Sequence, residues 1–538
     1  MALNIADLFE HSVDLVPERT AVLCGERSFT YAELEERVNR LAHHLARNGV
    51  GPGSHVGVFL RNRAEALEAM LAAYKLRAVA ININYRYVRE ELRYVFDNAD
   101  LVALVHERRS AGVVAEVLPD VPGLKHLVVV DDGSEEAYEG HDYETALAAE
   151  HAERDFPERS GDDIYILYTG GTTGKPRGVM WRHEDIWRAL GGGINFYTGE
   201  RVADEWEQSR QGAEGTPVTW FTMPPLIHAA AQWPAFAALF GGHTVLLTPR
   251  FDPAAVWRLI ERHRVAIAVI TGDAMARPLM DALREGDFDT SSLVAFASGA
   301  ALFSGSVKQQ CLDALPNVLI TDSIGASETG FHGIGIVERD QKPAAPRVRP
   351  GAETVVLDDS DKPVVPGSGT IGRLARTGHL PIGYYQDPVK TEEMFLEIDG
   401  RRYVTPGDRA SVEADGSITL LGRGNMCINT GGEKVFPEEV EGTIKAHPDV
   451  FDTIVIGVED DRFGQRVAAV VQLRPGRAPD VAGIEAHART QLAGYKVPRS
   501  FWFTDQVGRT ASGKPDYGWA LRFVQENRDT RIDTTSAV

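Results

Sequence analysis

The sequence lacks the features that mark a disulfide-stabilised, metal-clustered or membrane-spanning protein. Only 3 of the 538 residues are cysteine, and Cys24, Cys311 and Cys427 lie far apart, without a CxxC pair or a Cys/His cluster. This spacing predicts neither a disulfide framework nor a zinc site, and it fits a reducing cytosol. Asp7 and Glu10 stand where a signal peptide needs an apolar region, and no apolar run approaches the roughly 18 residues that span a bilayer. The sequence therefore predicts a soluble cytoplasmic protein.

An excess of basic residues is also absent. The chain has 56 Lys and Arg against 77 Asp and Glu, a formal net charge of −21. This balance argues against non-specific binding to nucleic acid or to an anionic membrane, and it leaves a local basic pocket possible. Hydrophobic residues at 43% and charged residues at 25% are typical of a folded globular protein. At about 150 residues per domain, the length predicts roughly three to four structural units.

Helical and strand patterns alternate along the first 350 residues. Thr30 and Glu33 form a capping-box pattern ahead of an apolar helical repeat that ends at Gly49. Short apolar runs that predict buried strands recur at 55–60, 78–83, 265–270, 293–299 and 317–321. This alternation predicts layered α/β architecture around largely parallel sheets. The polar stretch at 200–216 is predicted to be a surface loop.

The pattern changes in the second half of the chain. Short strands and turns predict a small β-rich subdomain at about 351–424. From 425 to 538, helix, two strands, helix and strand follow one another, which is typical of a separate α+β domain. The predicted fold class is α/β: a large N-terminal domain (1–424) of layered α/β subdomains with the β-rich subdomain, then a small C-terminal domain (425–538).

A run of glycine and threonine is the strongest chemical signal. YTGGTTGKPRGVM (168–180) follows the strand-like IYIL, and its backbone N–H groups can point into one concavity that suits a polyphosphate. The run does not match a Walker A loop, because three residues separate Gly170 from Gly174 and Pro176 follows Lys175. On its own, such a run is equally compatible with a turn that binds no ligand.

An ordered set of segments resembles the motifs of the adenylate-forming superfamily, which contains acyl-CoA synthetases, luciferases and the adenylation domains of peptide synthetases. The run at 168–180 resembles the phosphate loop of that superfamily. The later segments are SGAAL (298–302), DSIGASETG (322–330), GYYQDPVKT (383–391), TPGDRA (405–410), the hinge-like LGRGNMCINTGGEKVFPEEVE (421–441) and GRTASGKPD (508–516). Their variants most resemble a bacterial branch that acts on fatty or steroid side-chain acids.

The resemblance implies roles for individual residues. Glu328 would bind Mg²⁺ between the ATP phosphates, while Lys514, together with Thr173, would act in catalysis at the α-phosphate. Asp408 would accept hydrogen bonds from the ribose hydroxyls, and Arg423 would contact the ribose or α-phosphate. The ATP- and AMP-binding set that it implies is Thr169, Gly170, Gly171, Thr172, Thr173, Gly174, Lys175, Gly299, Ala300, Ser323, Gly325, Ser327, Asp408, Arg423 and Lys514. Each residue also has an ordinary alternative, such as a turn aspartate or a solvated lysine.

The resemblance also implies sites for the acyl group and for coenzyme A. His228 and Trp233 would line the acyl entrance, and Gly431 and Gly432 would face the pantetheine arm. The stretch 227–236 contains no acidic residue that could pair with the ammonium group of an amino acid. Its small apolar residues suit a roomy cavity for a medium-length, long or polycyclic acyl chain, or alternatively a core helix.

Several positions depart from the superfamily's usual pattern. Ile324 stands where an aromatic residue often stacks on adenine, and Arg177 replaces a lysine. Asn425 and Met426 occupy the hinge positions where an Asp or Lys followed by an acid is common. These departures leave the adenine contact and the hinge residue open.

The implied function is that of an ATP-dependent acyl-CoA synthetase. A carboxylate would attack the α-phosphate of ATP to give an acyl-adenylate and pyrophosphate, and the thiol of coenzyme A would then displace AMP. The small C-terminal domain would swing about a hinge near Asn425 between the two half-reactions, withdrawing Lys514. The expected small-molecule partners are a carboxylic acid, ATP, Mg²⁺ and coenzyme A as co-substrate, without nucleic acid or a membrane segment. A homo-oligomer is left open.

Three other functions stay open at this point. The chain could pass its adenylate to a separate carrier protein instead of coenzyme A, which would make it an acyl-AMP ligase. It could bind nucleotide without catalysis, although intact Glu328, Asp408 and Lys514 argue against that. A phosphate-loop motor or transporter ATPase is the third, and Pro176 argues against it.

Overall fold

The computed structural model describes residues 3–169, 175–190, 202–301, 303–337, 339, 347–423, 426–430, 433–460, 464–492, 494–510 and 513–534, with the backbone alone at 423, 429, 433, 434 and 464. In these ranges the chain forms three β-sheets with helices packed against them. None of the helices described is both long enough and apolar enough to cross a bilayer.

The strands are, in chain order, β1 (Thr20–Cys24), β2 (Arg27–Thr30), β3 (His55–Phe59), β4 (Val79–Asn82), β5 (Leu101–Glu107), β6 (His126–Val130), β7 (His141–Asp142), β8 (Ile164–Thr169), β9 (Arg177–Arg182), β10 (Thr219–Thr222), β11 (Thr244–Leu247), β12 (Val265–Ile270), β13 (Ala295–Ser298), β14 (Leu319–Ala326), β15 (Gly330–Val337), β16 (Arg347–Pro350), β17 (Thr354–Leu357), β18 (Ile371–Arg376), β19 (Gly383–Tyr384), β20 (Phe395–Ile398), β21 (Arg401–Val404), β22 (Asp408–Val412), β23 (Ile418–Arg423), β24 (Ile428–Thr430), β25 (Glu433–Val435), β26 (Val450–Asp460), β27 (Gly464–Leu473), β28 (Ser500–Thr504) and β29 (Ile532–Asp533).

The α-helices are α1 (Ile5–Leu15), α2 (Tyr31–Arg47), α3 (Ala64–Lys75), α4 (Arg89–Asn98), α5 (Ala111–Val117), α6 (Tyr143–Ala148), α7 (His183–Ala189), α8 (Glu207–Glu214), α9 (Ala229–Phe240), α10 (Pro253–Arg262), α11 (Gly272–Glu285), α12 (Gly305–Ala314), α13 (Pro388–Met394), α14 (Pro437–Lys445), α15 (Val481–Arg489) and α16 (Tyr517–Glu526).

An eight-stranded sheet carries the glycine-rich loop. Its order is β19-β9-β8-β4-β3-β5-β6-β7; the six strands from β8 to β7 pair in parallel, and β9 pairs antiparallel with both β8 and β19. Every residue of β3 and β6 is buried, as expected for parallel strands covered by helices on both faces. The capping box at the start of α2 is confirmed, since Thr30 Oγ1 accepts from Glu33 N at 3.1 Å and Glu33 Oε2 accepts from Thr30 N at 2.8 Å.

The largest sheet has a parallel half and an antiparallel half. Strands β1, β11, β10, β12, β13 and β14 pair in parallel, and β2 closes that edge antiparallel to β1. From β14 onward every pairing is antiparallel, through β15, β16, β23, β22, β18, β21 and β20, with β17 on β18. Apart from β19, the strands from β17 to β23 belong to this antiparallel half, and they occupy the segment for which short strands and turns were predicted.

A separate six-stranded sheet forms the carboxy-terminal part of the chain. It consists of β24 to β29, and α14, α15 and α16 lie near it in sequence. Two apolar clusters form the core of this unit. One contains Val440, Ile444 and Val471, and the other contains Ile456, Trp502 and Ala520. The predicted fold class, a large α/β unit followed by a small α+β unit, is confirmed; the exact domain boundaries stay a prediction.

The loop predicted at 200–216 is wrong over 207–214, where the chain forms α8. This helix is held by polar contacts that an apolar repeat cannot reveal: Ser209 Oγ lies 2.7 Å from Nδ1 of His11 on α1, and Gln208 Nε2 donates to Ala237 O on α9 at 2.8 Å. Gly212 also lies so close to Gly241 that a Cβ there would overlap the Gly241 carbonyl oxygen. Small and polar residues therefore make the packing face of α8.

Candidate active site

The glycine-rich loop joins two antiparallel strands. Thr169 at the end of β8 lies opposite Arg177 at the start of β9, and a Walker A loop would instead lead into a helix. At the exit of the loop, the Lys175 ammonium lies 4.6 Å from the ring centre of Tyr94. The residues between these ends lie outside those described, so their roles stay predictions: Gly170, Gly171, Thr172, Thr173 and Gly174.

Glu328 lies in the turn between β14 and β15, and two contacts fix this turn to the strands of the loop. Tyr384 Oη on β19 donates to Glu328 Oε1 at 3.1 Å, and Trp181 Nε1 on β9 donates to Ser327 O at 3.0 Å. Because β19 pairs with β9, both donors belong to the edge of the eight-stranded sheet that carries the loop. A single carboxylate beside phosphate oxygens is a donor set that Mg²⁺ uses, so Glu328 fits its predicted role.

Gly299 and Ala300, both predicted to bind ATP or AMP, lie in a tight turn after β13. Ser323 Oγ on β14 donates to Ser298 O at 3.0 Å, and a Cβ on Gly299 would lie 2.6 Å from Ser323 Oγ. Ala300 follows in a left-handed conformation with φ of +66°. The chain therefore brings Gly299, Ala300 and Ser323 together, as their shared prediction requires.

Ile324, which stands where an aromatic residue often stacks on adenine, points into the apolar core. Its side chain is only 6% exposed and packs in the apolar cluster of the antiparallel half, with Val348, Leu374 and Ala410. Gly325 next to it is confined as well, since a Cβ there would lie 2.7 Å from the carbonyl oxygen of Gly330. The isoleucine thus serves the core of the β-rich part.

Asp408 and Arg423 are direct neighbours across two strands. They are paired residues in the antiparallel register of β22 and β23. Asp408 follows Gly407, whose φ is +96°. A residue with a Cβ would be strained in this conformation, so glycine is favoured in the turn before Asp408. The backbone therefore places the two residues predicted to contact the ribose at one point, while the side chain of Arg423 lies outside the described part.

Lys514 lies at the tip of a hairpin turn in the carboxy-terminal unit. Its backbone N donates to Thr510 Oγ1 at 3.1 Å, and its carbonyl accepts from Thr510 N at 2.9 Å. The turn faces the amino-terminal unit, because a Cβ on Gly513 would lie 3.1 Å from the Cβ of Ala274 on α11. The exposed Lys514 side chain is thus carried to the larger unit by its hairpin.

The charge of Lys514 acts on His228, the residue that precedes α9. Burial, together with the cations of Lys514 and Arg86, lowers the pKa of His228 to about 3. Its Nε2 is buried and has no hydrogen-bond partner among the described residues. The predicted acyl-entrance histidine is therefore neutral at physiological pH, and the charge of the predicted catalytic lysine contributes to the lowered pKa. Arg86 was not predicted from the sequence and belongs to no motif.

A chain of charged residues connects the lysine hairpin to α11, and we call it the ionic chain. Arg277 Nη2 on α11 donates to Lys445 O at 2.9 Å, and the Lys445 ammonium lies 3.3 Å from Asp452 Oδ1. Arg509 Nε donates to Asp452 Oδ2 at 2.9 Å, and its Nη1 donates to Gly513 O at 3.1 Å. Burial alone would raise the pKa of Asp452, but Lys445 and Arg509 lower it to about 2. Isolated charges far apart in sequence gave no signal of this network.

The residues predicted to receive the acyl group are closely packed. Trp233 is 4% exposed, with its ring centre 5.9 Å from that of Tyr165 and 5.7 Å from that of Phe236. A cavity of about 10 Å³ lies before α9, lined in part by Ile227 and Gln232. That volume is far below the roughly 300 Å³ of a ligand pocket, so an acyl chain must displace side chains to enter there. The roles of His228 and Trp233 stay predictions; Gly431 and Gly432 lie outside the described residues.

Comparisons with known proteins identify the family and the fold of this chain. The family model "AMP-binding enzyme" matches residues 9–385, and the model "AMP-binding enzyme C-terminal domain" matches residues 439–514. A 3-oxocholest-4-en-26-oate–CoA ligase from Rhodococcus rhodochrous is 57% identical over 97% of this chain and 96% of the relative. A medium/long-chain-fatty-acid–CoA/3-oxocholest-4-en-26-oate–CoA ligase from Mycobacterium tuberculosis is 55% identical over 97% and 96%. The crystal structure of the anthranilate CoA ligase AuaEII with anthranoyl-AMP matches with a TM-score of 0.84, 23% identity and 97% coverage of both chains, which supports the fold.

Proposed function

This chain belongs to the AMP-binding enzyme family and is an acyl-CoA synthetase, and we propose that it activates a medium- or long-chain fatty acid or the carboxylated side chain of a steroid. The position of Glu328, held by Tyr384 at the strands of the glycine-rich loop, is the structural observation that supports the ligase chemistry. The substrate class is supported by the names of the two ligases, which share more than half of their residues with this chain over almost its whole length.

In the first half-reaction a carboxylate attacks the α-phosphorus of ATP, and pyrophosphate leaves. Lys514 stabilises the negative charge that develops on the carboxylate and α-phosphate oxygens. Glu328, oriented by Tyr384, would hold Mg²⁺, which when bound neutralises charge on the phosphates. The paired positions of Asp408 and Arg423 would hold the ribose. No residue needs to form a covalent bond with the substrate, because positioning and charge suffice.

The electrostatics of the entrance favour an anionic substrate. Lys514 and Arg86 both act on His228, and at neutral pH the imidazole adds no positive charge of its own. A carboxylate entering beside these two cations is attracted, and the ammonium group of an amino acid would be repelled. This supports the view that 227–236 selects against amino acids, since the stretch offers them no acidic partner.

In the second half-reaction the thiol of coenzyme A attacks the acyl carbonyl carbon. The bond between that carbon and the phosphate oxygen breaks, and AMP leaves with its electron pair. The carboxy-terminal unit would rotate between the halves, so that Lys514 leaves the site and the segment around Gly431 and Gly432 faces the pantetheine. The ionic chain would have to part in this rotation, because it joins α11 to the carboxy-terminal unit.

Product analysis tests the proposal. The protein is incubated with ATP, Mg²⁺, coenzyme A and a panel of acids from acetate to long-chain and steroid carboxylates. We expect AMP, pyrophosphate and an acyl-CoA with a long-chain or steroid acid, and no turnover with a Glu328→Gln variant. Pyrophosphate release without acyl-CoA would instead identify an acyl-AMP ligase that serves a carrier protein. ADP as product, or no turnover with any acid, would overturn the proposal.

A further inference from the structure

Three histidines from distant parts of the sequence converge at one edge of the eight-stranded sheet. His44 lies in the last turn of α2, His126 begins β6, and His141 begins β7, the edge strand. His44 and His126 are buried, and His141 is exposed. In the sheet, β6 lies four strands away from β8, the strand that leads into the glycine-rich loop. At about 4.8 Å per strand, this separation is roughly 19 Å. The cluster is therefore separate from the candidate active site.

The three rings form a nearly equilateral triangle. The ring centres lie 4.9 Å apart for His44 and His126, 5.0 Å for His44 and His141, and 4.9 Å for His126 and His141. His44 Nε2 and His126 Nε2 are 3.1 Å apart, and one nitrogen of each ring lies within 4.8 Å of the others. Three imidazoles on a tetrahedral ion, with metal–nitrogen distances near 2.05 Å, have ring centres about 5.1 Å apart and nitrogens about 3.3 Å apart.

A hydrogen bond does not account for the whole cluster. An N–H···N contact can explain the short distance between His44 and His126, but it leaves the third ring at the same distance from both without a cause. A second group nearby, His43, His151 and Asp155, is different in this respect. There, His43 Nε2 donates to Glu153 O at 3.0 Å and lies 3.1 Å from Asp155 Oδ1, so ordinary hydrogen bonds account for the position of the His43 ring.

The chemistry of the three rings suits a transition metal. The metal-binding form of histidine is the neutral imidazole, which offers one nitrogen lone pair to an ion. Imidazole ligands without carboxylates select borderline ions such as Zn²⁺, Co²⁺ and Ni²⁺ over Mg²⁺ and Ca²⁺. The exposed side of His141 leaves a position open for a water ligand.

We propose that His44, His126 and His141 form a binding site for one divalent transition-metal ion, with Zn²⁺ as the representative case. The ion fastens β7 to β6 and to α2. Strand β7 pairs with β6 through only two residue pairs, Val128 with His141 and Val129 with Asp142. A metal bridge therefore stabilises an edge strand that joins this sheet by only two residue pairs. The prediction of no zinc site rested on the lack of a cluster in sequence; this cluster forms only in the fold.

Calorimetric titration of Zn²⁺ into chelator-treated protein without a histidine tag tests the proposal. We expect one ion per chain, and Co²⁺ in the same site should give the visible absorption of a tetrahedral nitrogen-ligated ion. His141→Ala is the test variant, because the side chain is exposed and its loss leaves the buried rings in place. It should weaken Zn²⁺ binding by at least about tenfold, since loss of even an outer partner of a ligand often costs that much.

His151→Ala is the matched control, since it removes an exposed histidine of the neighbouring group and should leave Zn²⁺ affinity unchanged. Zn²⁺ should also raise the melting temperature of the unaltered protein and of His151→Ala more than that of His141→Ala. Equal Zn²⁺ affinity in all three proteins, or no saturable binding, would overturn the proposal and leave a packed histidine cluster. Both variants should retain acid-dependent pyrophosphate release, so this outcome is independent of the ligase assignment.

Discussion

At the scale of single residues, Lys514 is the residue whose predicted role separates the two half-reactions. Its hairpin faces α11 of the larger unit, since a Cβ on Gly513 would lie 3.1 Å from the Cβ of Ala274. We expect Lys514→Ala to abolish formation of the acyl-adenylate, because the charge that stabilises the reacting oxygens is lost. The same variant should still convert a supplied acyl-adenylate and coenzyme A into acyl-CoA. Pyrophosphate release measures the first half and thioester formation the second.

Lys362→Ala is a suitable control for the loss of one positive charge, because Lys362 is exposed on a turn of the β-rich part. It should leave both halves unchanged. Equal loss of the two half-reactions in Lys514→Ala would contradict this division of labour.

Tyr384 provides a second residue-scale prediction. Its hydroxyl donates to Glu328 Oε1 at 3.1 Å, and a hydrogen bond to a charged acceptor commonly contributes about 1.5–3 kcal/mol. Tyr384→Phe should raise the KM for MgATP by about tenfold, with a smaller effect on kcat, because it frees the carboxylate to rotate. The adjacent Tyr385→Phe is the control, since Tyr385 donates to Asp100 on the surface. An unchanged KM in Tyr384→Phe would show that Glu328 needs no such orientation.

The sequence predicted the site residues that motifs carry, and it could not predict the residues that hold them. Tyr384 lies within the segment 383–391, yet nothing in that pattern shows that it donates to Glu328. Ile324 was correctly noted as a departure, but only the structure shows that its side chain belongs to the core of the β-rich part. Such roles depend on which strands become neighbours, and local sequence does not record that.

At the scale of elements, the ionic chain sets the position of the lysine hairpin. Arg509 bridges Asp452 and Gly513 through its guanidinium group. We expect Arg509→Lys to slow adenylation by about tenfold and to spare thioester formation, because an ammonium group keeps the charge but cannot make both contacts. Measurement of kcat for pyrophosphate release, beside the rate from supplied acyl-adenylate, separates the two effects.

Arg489→Lys is the matched control for Arg509→Lys. Arg489 is exposed and pairs with the buried Glu485 one turn earlier in α15. A similar loss in both variants, or a loss of thioester formation in Arg509→Lys, would show that the effect concerns general stability.

Elements with a strong period were predicted well. The buried strands that became β3, β4, β12 and β13, and the capped helix α2, follow directly from apolar runs and a capping box. Helix α8 was missed because its contacts come from Ser209, Gln208 and the close approach of Gly212 to Gly241. The histidine cluster was missed for a related reason: residues 44, 126 and 141 meet only when β6 and β7 pair beneath α2.

At the scale of the whole molecule, buried neutral histidines make stability depend on pH. Burial lowers the pKa of His183 to about 4, and the residue is fully buried with Nδ1 accepting from Ile5 N at 3.2 Å. Unfolded histidine has a pKa near 6.5, so below that pH the unfolded chain takes up a proton that the folded chain refuses. The contribution is complete above pH 6.5 and is lost as pH falls towards 4. Between pH 7 and 5 it amounts to about 2 kcal/mol.

His183→Asn tests this reasoning, because the amide oxygen can replace Nδ1 as the acceptor for Ile5 N and does not titrate. Urea unfolding at pH 7 and pH 5 should give a difference smaller by about 2 kcal/mol than in the unaltered protein. His151→Gln, an exposed histidine, should leave the difference unchanged. A pH dependence in His183→Asn as steep as in the unaltered protein would refute the assignment.

The junction between α11 and the carboxy-terminal unit joins charged groups. Arg277 donates to the carbonyl of Lys445, the Lys445 ammonium lies 3.9 Å from Asp273, and Arg474 lies 3.4 Å from Asp281. Charged groups that separate are hydrated again, and this hydration free energy offsets much of the attraction that is lost when the junction opens. Opening an apolar interface would bring no such compensation. The rotation should therefore stay reversible within each turnover, and dissolved salt should bias it: the balance between adenylation and thioester rates should shift with ionic strength. The proposed rotation is favoured by a junction whose charged faces can be hydrated when they separate.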